Sequence, residues 1–220
     1  MDKKILDRYN SCEGAHSYSK KFKRHLTERI NDWNERRKIR WLLERISNGK
    51  PFLLTLDLPC GYGRLFPIVQ ACSQQVVEAD WSFHLLSLAR KNQLLDSAAN
   101  HPAHVRATAF SLPFHNGIFD MVLSVRLCHH IRDHAERLRY VLELLRVSRK
   151  WVVFTFFDSD SFKNRMRGWS QRFGKKRSKW TLTTSEIVSL ADQAGFEMAF
   201  SVPLSRLFSG HRYIVLKRRG

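Results

Sequence analysis

The stretch D-L-P-C-G-Y-G-R-L, Asp57 to Leu65, follows directly on the apolar run F-L-L-T-L of residues 52 to 56. A short apolar strand that opens into an acid and two closely spaced glycines, with a helical pattern beyond, starts an open α/β sheet that binds a ligand past its strand ends. Gly61 and Gly63 let the backbone approach that ligand, and the following helix offers its first amides to a negative group. Pro59 stands where such loops commonly carry a first glycine. It removes one amide donor and fixes φ at about −65°, so the turn does not need a positive φ there.

Outward from this turn, short apolar runs alternate with helical stretches. Residues 52–58, 75–80, 104–109, 119–125 and 151–157 read as strands, and 64–73, 83–92 and 133–147 as helices. The strands are nearly continuous apolar runs, as expected when helices cover both faces of a parallel sheet. A helix over residues 183–194 opens with Ser/Thr capping residues and stops at Gly195. Two strands, 196–202 and 212–217, then follow with no helical pattern between them, which predicts a terminal antiparallel pair. The expected class is α/β, doubly wound, with a mostly parallel seven-stranded sheet. Upstream, Phe22, Leu26, Ile30, Trp33, Ile39, Leu42, Leu43 and Ile46 recur at mostly three- and four-residue steps, the mark of amphipathic helices that N-G-K-P at 48–51 ends. The division expected is a basic helical cap over residues 1–50 and a main domain over 51–220 with a basic insertion at 161–180.

The chain has 220 residues, 43% of them apolar, enough to bury a substantial core. No run approaches the roughly 18 apolar residues that span a bilayer, and the first ten residues lack the apolar centre of a signal peptide. A cytoplasmic protein is expected, peripheral at the inner face of the membrane where its basic flanks meet it. Cys12, Cys60, Cys72 and Cys128 are scattered, without disulfide or zinc-ligand spacing, so no structural metal is expected. The net charge of +18 is unevenly placed: residues 1–50 carry 14 Lys+Arg against 7 Asp+Glu, residues 51–160 carry 11 against 10, and residues 161–220 carry 13 against 3. Basic flanks around a neutral middle concentrate anionic partners: nucleic acid, acidic headgroups or phosphorylated small molecules.

The ligand of the glycine turn follows partly by elimination. A dinucleotide fingerprint needs a third glycine where Phe66 stands, and no G-K-[ST] follows for a P-loop. What remains is Asp57 opening the turn and a second acid, Asp80, ending the next strand, where it can accept from both hydroxyls of a ribose. That pair suits a ligand with a cationic amino group and a nucleoside but no diphosphate, such as S-adenosylmethionine.

At this point the chain resembles the class I S-adenosylmethionine-dependent methyltransferases, in particular the type-11-like group. Four segments carry the resemblance in the family's order: D-L-P-C-G-Y-G-R (57–64), V-V-E-A-D-W-S (76–82), A-F-S-L-P-F-H-N-G-I-F-D (109–120) and L-C-H-H-I-R-D (127–133). The resemblance implies that Asp57 contacts the methionine amino group, that Gly61 and Gly63, with Pro59 in the same loop, line the methionine and ribose, and that Asp80 holds the ribose hydroxyls. It further implies Trp81 against adenine, Thr108, Ala109 and Phe110 around the adenine ring, and Ser124 and Arg126 near the transferable methyl group. Thr108 replaces an aspartate that many relatives use to bond the adenine amino group, and a hydroxyl accepts more weakly than a carboxylate. R-V-S-R-K-W (146–151) lacks the family's usual Gly-Gly turn.

Methyl transfer from a sulfonium needs mainly proximity, orientation and dehydration, and a protein base only where the nucleophile carries a proton. His129 and His130 follow the fourth strand on the ligand side and are the candidate general bases. The segment 161–180 holds eight Lys+Arg, no acid, and Trp169, Phe173 and Trp180. Arg167, Trp169, Lys175, Lys176 and Arg177 are the expected contacts of an anionic substrate, a membrane surface or a nucleic acid. An acidic or phosphorylated small molecule, lipid or glycolipid is the leading acceptor. RNA methylation, or a catalytically silent fold that binds nucleic acid or a protein through its basic flanks, is the alternative. Oligomeric state is not encoded in any pattern found here.

Overall fold

The protein is described from a computed structural model over residues 11–24, 26–94, 101–161, 180–204 and 210–220, with backbone only for residues 20–24. Helices α1 (Cys12–Arg24) and α2 (Leu26–Ser47) precede β1 (Phe52–Asp57), α3 (Phe66–Gln70), β2 (Ser73–Asp80), α4 (Phe83–Leu94), β3 (Ala103–Arg106) and β4 (Phe119–Ser124). A short 3-10 turn at Cys128–His130, α5 (His134–Val147), β5 (Ser148–Asp158), β6 (Thr181–Leu182), α6 (Thr184–Gln193), β7 (Phe196–Pro203) and β8 (His211–Arg218) complete the order.

The main sheet runs β3-β2-β1-β4-β5-β8-β7, with β6 added as a two-residue strand beside β5. β1 pairs in parallel with β2 and β4, whereas β8 runs antiparallel to both β5 and β7. The seven expected strands are all present and in the expected sense. Strand alternation divides the core into two layers. Val122, Val152, Phe154, Phe156, Ile214 and Leu216 face α5 and α6, packing with Tyr140, Leu144 and Ile187. Met121, Leu123, Val153, Tyr213 and Val215 face the other way, onto α3 and onto Ile39, Leu42, Leu43 and Ile46 of α2.

Local chemistry sets the boundaries that differ from expectation. The first crossover helix is only Phe66–Gln70, with Pro67 in its first turn, because residues 61–65 are spent on the glycine turn and β2 already begins at Ser73. β3 stops at Arg106, and Thr108 instead closes a small bridge with Ser111. α5 is capped by Asp133, whose side chain accepts from the Glu136 amide, and it runs into β5 without intervening residues. This explains why R-V-S-R-K-W needs no Gly-Gly turn. α6 begins with a reciprocal Thr183–Glu186 capping box, and Gly195 after it takes φ +78°.

Candidate active site

The chain leaves β1 toward β2 and β3, then returns to β4 and β5 on the other side. Ligands of open α/β sheets lie beyond the strand ends at such a reversal. A cavity of about 620 Å³ opens there, within the usual range of small-molecule sites.

At one end of it the groups are acids and main-chain amides. After a cis Leu58–Pro59 peptide, Gly61 takes φ +60° and Gly63 φ +76°. The Gly61 amide donates to Asp80 Oδ2 at 2.9 Å and the Ser82 amide to Asp80 Oδ1 at 2.8 Å, which ties the loop to the end of β2. A side chain at Gly63 would meet Gln93 Nε2 at 2.7 Å, so α4 packs directly on this glycine. Burial raises the Asp80 pKa to about 6, against the lowering effect of its backbone hydrogen bonds, with Glu78 raising it further. Asp57 lies in register beside Glu78. It is almost wholly buried, and neither of its carboxylate oxygens has a hydrogen-bond partner among the described residues. Burial, then the Glu78 charge, push its pKa well up, Arg64 opposes, and Asp80 adds to the rise. A buried acid without a donor, just behind a glycine turn, is an arrangement that a cationic ligand group can complete. Cys60, also in the cavity wall, is driven toward the unreactive thiol by burial and by the same acids.

The other end carries an arginine, three imidazoles and one acid: Arg126, at φ +67°, lines the cavity together with His129, His130, Glu136 and His211, while Tyr18 sits against the glycine turn, where a side chain at Gly61 would meet its ring at 3.6 Å. The His129 ring lies 4.2 Å from His130, 4.9 Å from His211 and 4.6 Å from Phe157, centroid to centroid. Trp180, where the basic insertion returns, donates its amide to the His129 carbonyl at 3.2 Å.

The N-terminal helices bind both ends together. Glu35 of α2 is buried, accepts from Arg64 Nη2 at 2.6 Å and takes Arg126 Nε at 2.8 and 3.0 Å. Arg64 also reaches Asp32 at 2.5 Å. Burial would push the Glu35 carboxyl up, but Arg64 and Arg126 hold it below its ordinary value. Tyr18 of α1 meets Tyr62 edge-on at 6.0 Å.

Of the residues expected from sequence, Pro59, Gly61, Asp80, Trp81, Thr108, Ala109, Phe110, Arg126, His129 and His130 all line this one cavity. Gly63 supports the loop against α4, and Asp57 lies behind it. Ser124 is corrected: strand alternation turns it with Val122 toward α5, where its hydroxyl meets Tyr140 Oη at 2.5 Å, and it is not part of the lining. Arg167, Trp169, Lys175, Lys176 and Arg177 lie outside the described residues. Tyr18, Glu35, Arg64 and His211 were not foreseen as site residues. Arg64 sits within the quoted loop motif, but its partners are 29 and 32 residues away. No local pattern marks Glu35 or His211.

Among the described residues no cluster of His, Cys, Asp and Glu is placed to hold a metal ion, and no helix is long and apolar enough to cross a membrane.

Comparison with known proteins agrees with this fold. The family described as "Methyltransferase domain" matches residues 56–154. A curated protein of Encephalitozoon cuniculi (strain GB-M1), named as a methyltransferase, is 28% identical over 160 residues, covering 66% of this chain and 70% of the relative. Magnesium protoporphyrin IX methyltransferase from Synechocystis PCC 6803, solved with bound S-adenosylhomocysteine, shares the fold at a TM-score of 0.81 and 19% identity, covering 99% of this chain and all of that one. The N-methyltransferase NodS from Bradyrhizobium japonicum WM9, also solved with S-adenosylhomocysteine, does so at 0.63 and 10% identity, covering 84% and 87%. The match over residues 56–154, the relative and the shared fold support a class I S-adenosylmethionine-dependent methyltransferase, with S-adenosylmethionine as the cofactor.

Proposed function

We propose that this enzyme moves the methyl group of S-adenosylmethionine to an anionic acceptor held at the Arg126–His129–His130–His211 end of the cavity. When bound, the cofactor supplies an electrophilic methyl group on a sulfonium. The chain's own residues do the rest. Asp57 would take the methionine ammonium, the Gly61–Gly63 turn would admit the methionine and ribose, and Asp80 would accept from the ribose hydroxyls. Trp81, Thr108, Ala109 and Phe110 would enclose the adenine. Arg126 would face the acceptor, and His129 or His130 would accept a proton from an acceptor hydroxyl or amine as its new bond to carbon forms. An acceptor that is already anionic at its nucleophilic atom needs no such transfer.

The observation that carries this reading is the meeting, in one cavity, of an unsatisfied acid behind a glycine turn and a wall of arginine and imidazole. The strongly basic chain supports an anionic acceptor, as do the two described ends of the basic insertion, Ser161 after β5 and Trp180 against His129.

The test is incubation with methyl-labelled cofactor and a cell extract separated into small-molecule, lipid, protein and nucleic-acid fractions. Label in an acidic small molecule or lipid is expected. Label confined to RNA would make the enzyme an RNA methyltransferase, and no binding of S-adenosylhomocysteine by calorimetry would remove the catalytic reading. Magnesium protoporphyrin IX, the acceptor in the name of the Synechocystis structure, belongs among the first compounds offered.

A further inference from the structure

Helix α2 is apolar on two sides. Its inner stripe, Ile39, Leu42, Leu43 and Ile46, fills the core, with Glu35 on the same side reaching Arg64 and Arg126. The outer stripe is Leu26, Ile30, Trp33, Arg37 and Trp41, at steps of four, three, four and four residues, which places them on one face of a helix. Its four apolar members are 71%, 49%, 58% and 42% exposed in chain order. Over about 22 Å of helix this is a continuous apolar band presented to solvent. Monomeric soluble proteins seldom leave one uncovered without a use for it.

Cations accompany the band. The Arg37 guanidinium lies over Trp33 at 4.9 Å, and Lys38 and Arg45 each lie over Trp41 at 5.5 Å. Arg45 also covers Phe200 of β7 at 5.1 Å, and the ring of Trp41 meets Phe200 edge-on, so the band continues onto the sheet edge. Arg29 and Arg40 are exposed beside it. Of the four acids of α2, Glu44 stands on this outer side, because Glu28 lies two turns from Glu35 on its side of the helix, Asp32 is turned to Arg36 and Arg64, and Glu35 is buried.

The chemistry that matches such a face has phosphates at its surface and hydrocarbon just below. Leu26 and Ile30 offer nothing to a phosphate backbone or a stacked base, but they suit the boundary between headgroups and acyl chains. Indole rings settle at that level, and arginine and lysine keep their charge among the headgroups while their stems lie along apolar surface. The outer face is therefore charge-complementary to an anionic bilayer and shape-matched to its interface. We propose that α2 docks this protein on an anionic lipid surface through Leu26, Ile30, Trp33, Arg37 and Trp41. Glu35 on the opposite side of the same helix holds Arg126 in the cavity wall, so docking keeps the acceptor end within about one helix diameter of the headgroups. The inference stands apart from the acceptor's identity: methyl transfer to a soluble acid would leave it intact.

The test is co-sedimentation of the full chain with mixed phosphatidylglycerol–phosphatidylcholine vesicles and with pure phosphatidylcholine vesicles. Two double variants are compared: Trp33→Ala with Trp41→Ala, and Leu26→Gln with Ile30→Gln. The second pair lies at exposed positions and is expected to fold whatever the first does. Circular dichroism and calorimetric affinity for S-adenosylhomocysteine are expected to match the unaltered protein. The unaltered chain is expected to bind the anionic vesicles and not the neutral ones, and each double variant to bind them at least about tenfold more weakly, as the loss of two buried apolar groups implies. Failure to bind anionic vesicles at low salt would overturn the proposal. So would unchanged binding by both variants, which would assign the attraction to basic segments elsewhere. A single-stranded RNA that both variants lose equally, and that displaces the vesicles, would make the face a nucleic-acid site and overturn it as well.

Discussion

At one end of the cavity the polar groups are acids and amides from the Asp57–Gly63 turn and from the turn after β2; at the other they are Arg126, held from behind by Glu35 of α2, and the imidazoles of His129, His130 and His211. The acids differ as much as their addresses. Asp57 is buried without a hydrogen-bond partner among the described residues, next to Glu78 and near Asp80, so the native fold works against its ionisation. Glu35 is equally buried, yet two arginines satisfy it. The proposed cofactor end thus carries an unfilled requirement that a ligand can meet, whereas the proposed acceptor end is braced from within the protein. If that contrast is real, removing Glu35 must harm the protein and removing the Asp57 charge must help it.

Glu35→Ala is expected to give the largest effect. It leaves Arg64 and Arg126 facing each other across a buried site, and breaking a buried pair on one side costs about 3–5 kcal/mol. Urea unfolding measures this directly. A loss below about 1 kcal/mol, the scale of an exposed pair, would mean that water reaches the triad and that the brace is not one. Glu35→Gln keeps two acceptor lone pairs and is expected to fall between.

Asp80→Ala comes next, with S-adenosylhomocysteine binding weakened on the order of 100-fold, the value of one or two charge-assisted hydrogen bonds. It also removes the bonds from Gly61 and Ser82 that hold the turn. Because the Asp80 pKa is raised to about 6, ligand affinity in the unaltered enzyme is expected to fall as pH drops through about 6, by up to tenfold per pH unit once the acid is protonated. Stability of the unliganded enzyme has the opposite slope. An acid whose folded pKa is raised contributes stability that is complete below the unfolded value of about 4 and is lost as pH climbs through the folded one. Calorimetry and thermal unfolding across this window separate the two.

Asp57→Asn should move stability and binding in opposite directions. Replacing an acid whose pKa is pushed well up by a neutral amide recovers the stability lost on ionisation, raising Tm by roughly 2–4 °C for each kcal/mol recovered. Affinity for S-adenosylhomocysteine falls, because the ammonium loses its counter-charge. A variant that loses both would show that Asp57 is structural.

The same contrast explains what could be read from the chain. The first five strands, the glycine turn and Asp80 are legible because each is a local pattern: an apolar run, then turn residues, then a helix. Thr108 is legible only through the resemblance, and the apolar pattern carries the expected strand on to Ala109 because Ala107–Ala109 is apolar enough to extend it. The Glu35–Arg126 pair spans 91 residues and His211 comes from the last strand, so tertiary packing alone unites them with His129. Ser124 ends its strand, but alternation from Met121, which faces α2, to Val122 and Ser124, which face α5, turns its side chain away from the cavity.

The smallest expected effect tests the boundary of the cofactor end. Thr108 Oγ1 accepts only a long bond, 3.4 Å, from the Phe110 amide, so its lone pairs are weakly used. Thr108→Asp would offer an adenine amino group a carboxylate in place of a hydroxyl, worth a few-fold in affinity at most. The new acid also sits close to the end of β2, since the neighbouring Ala107 amide donates to the Asp80 carbonyl at 3.1 Å. Repulsion from Asp80 raises the pKa of both, so the gain is expected at pH 8 and is expected to vanish near pH 6, where Asp80 is half protonated. A gain at neither pH would place the adenine amino group away from residue 108 and move that edge of the site toward Phe110.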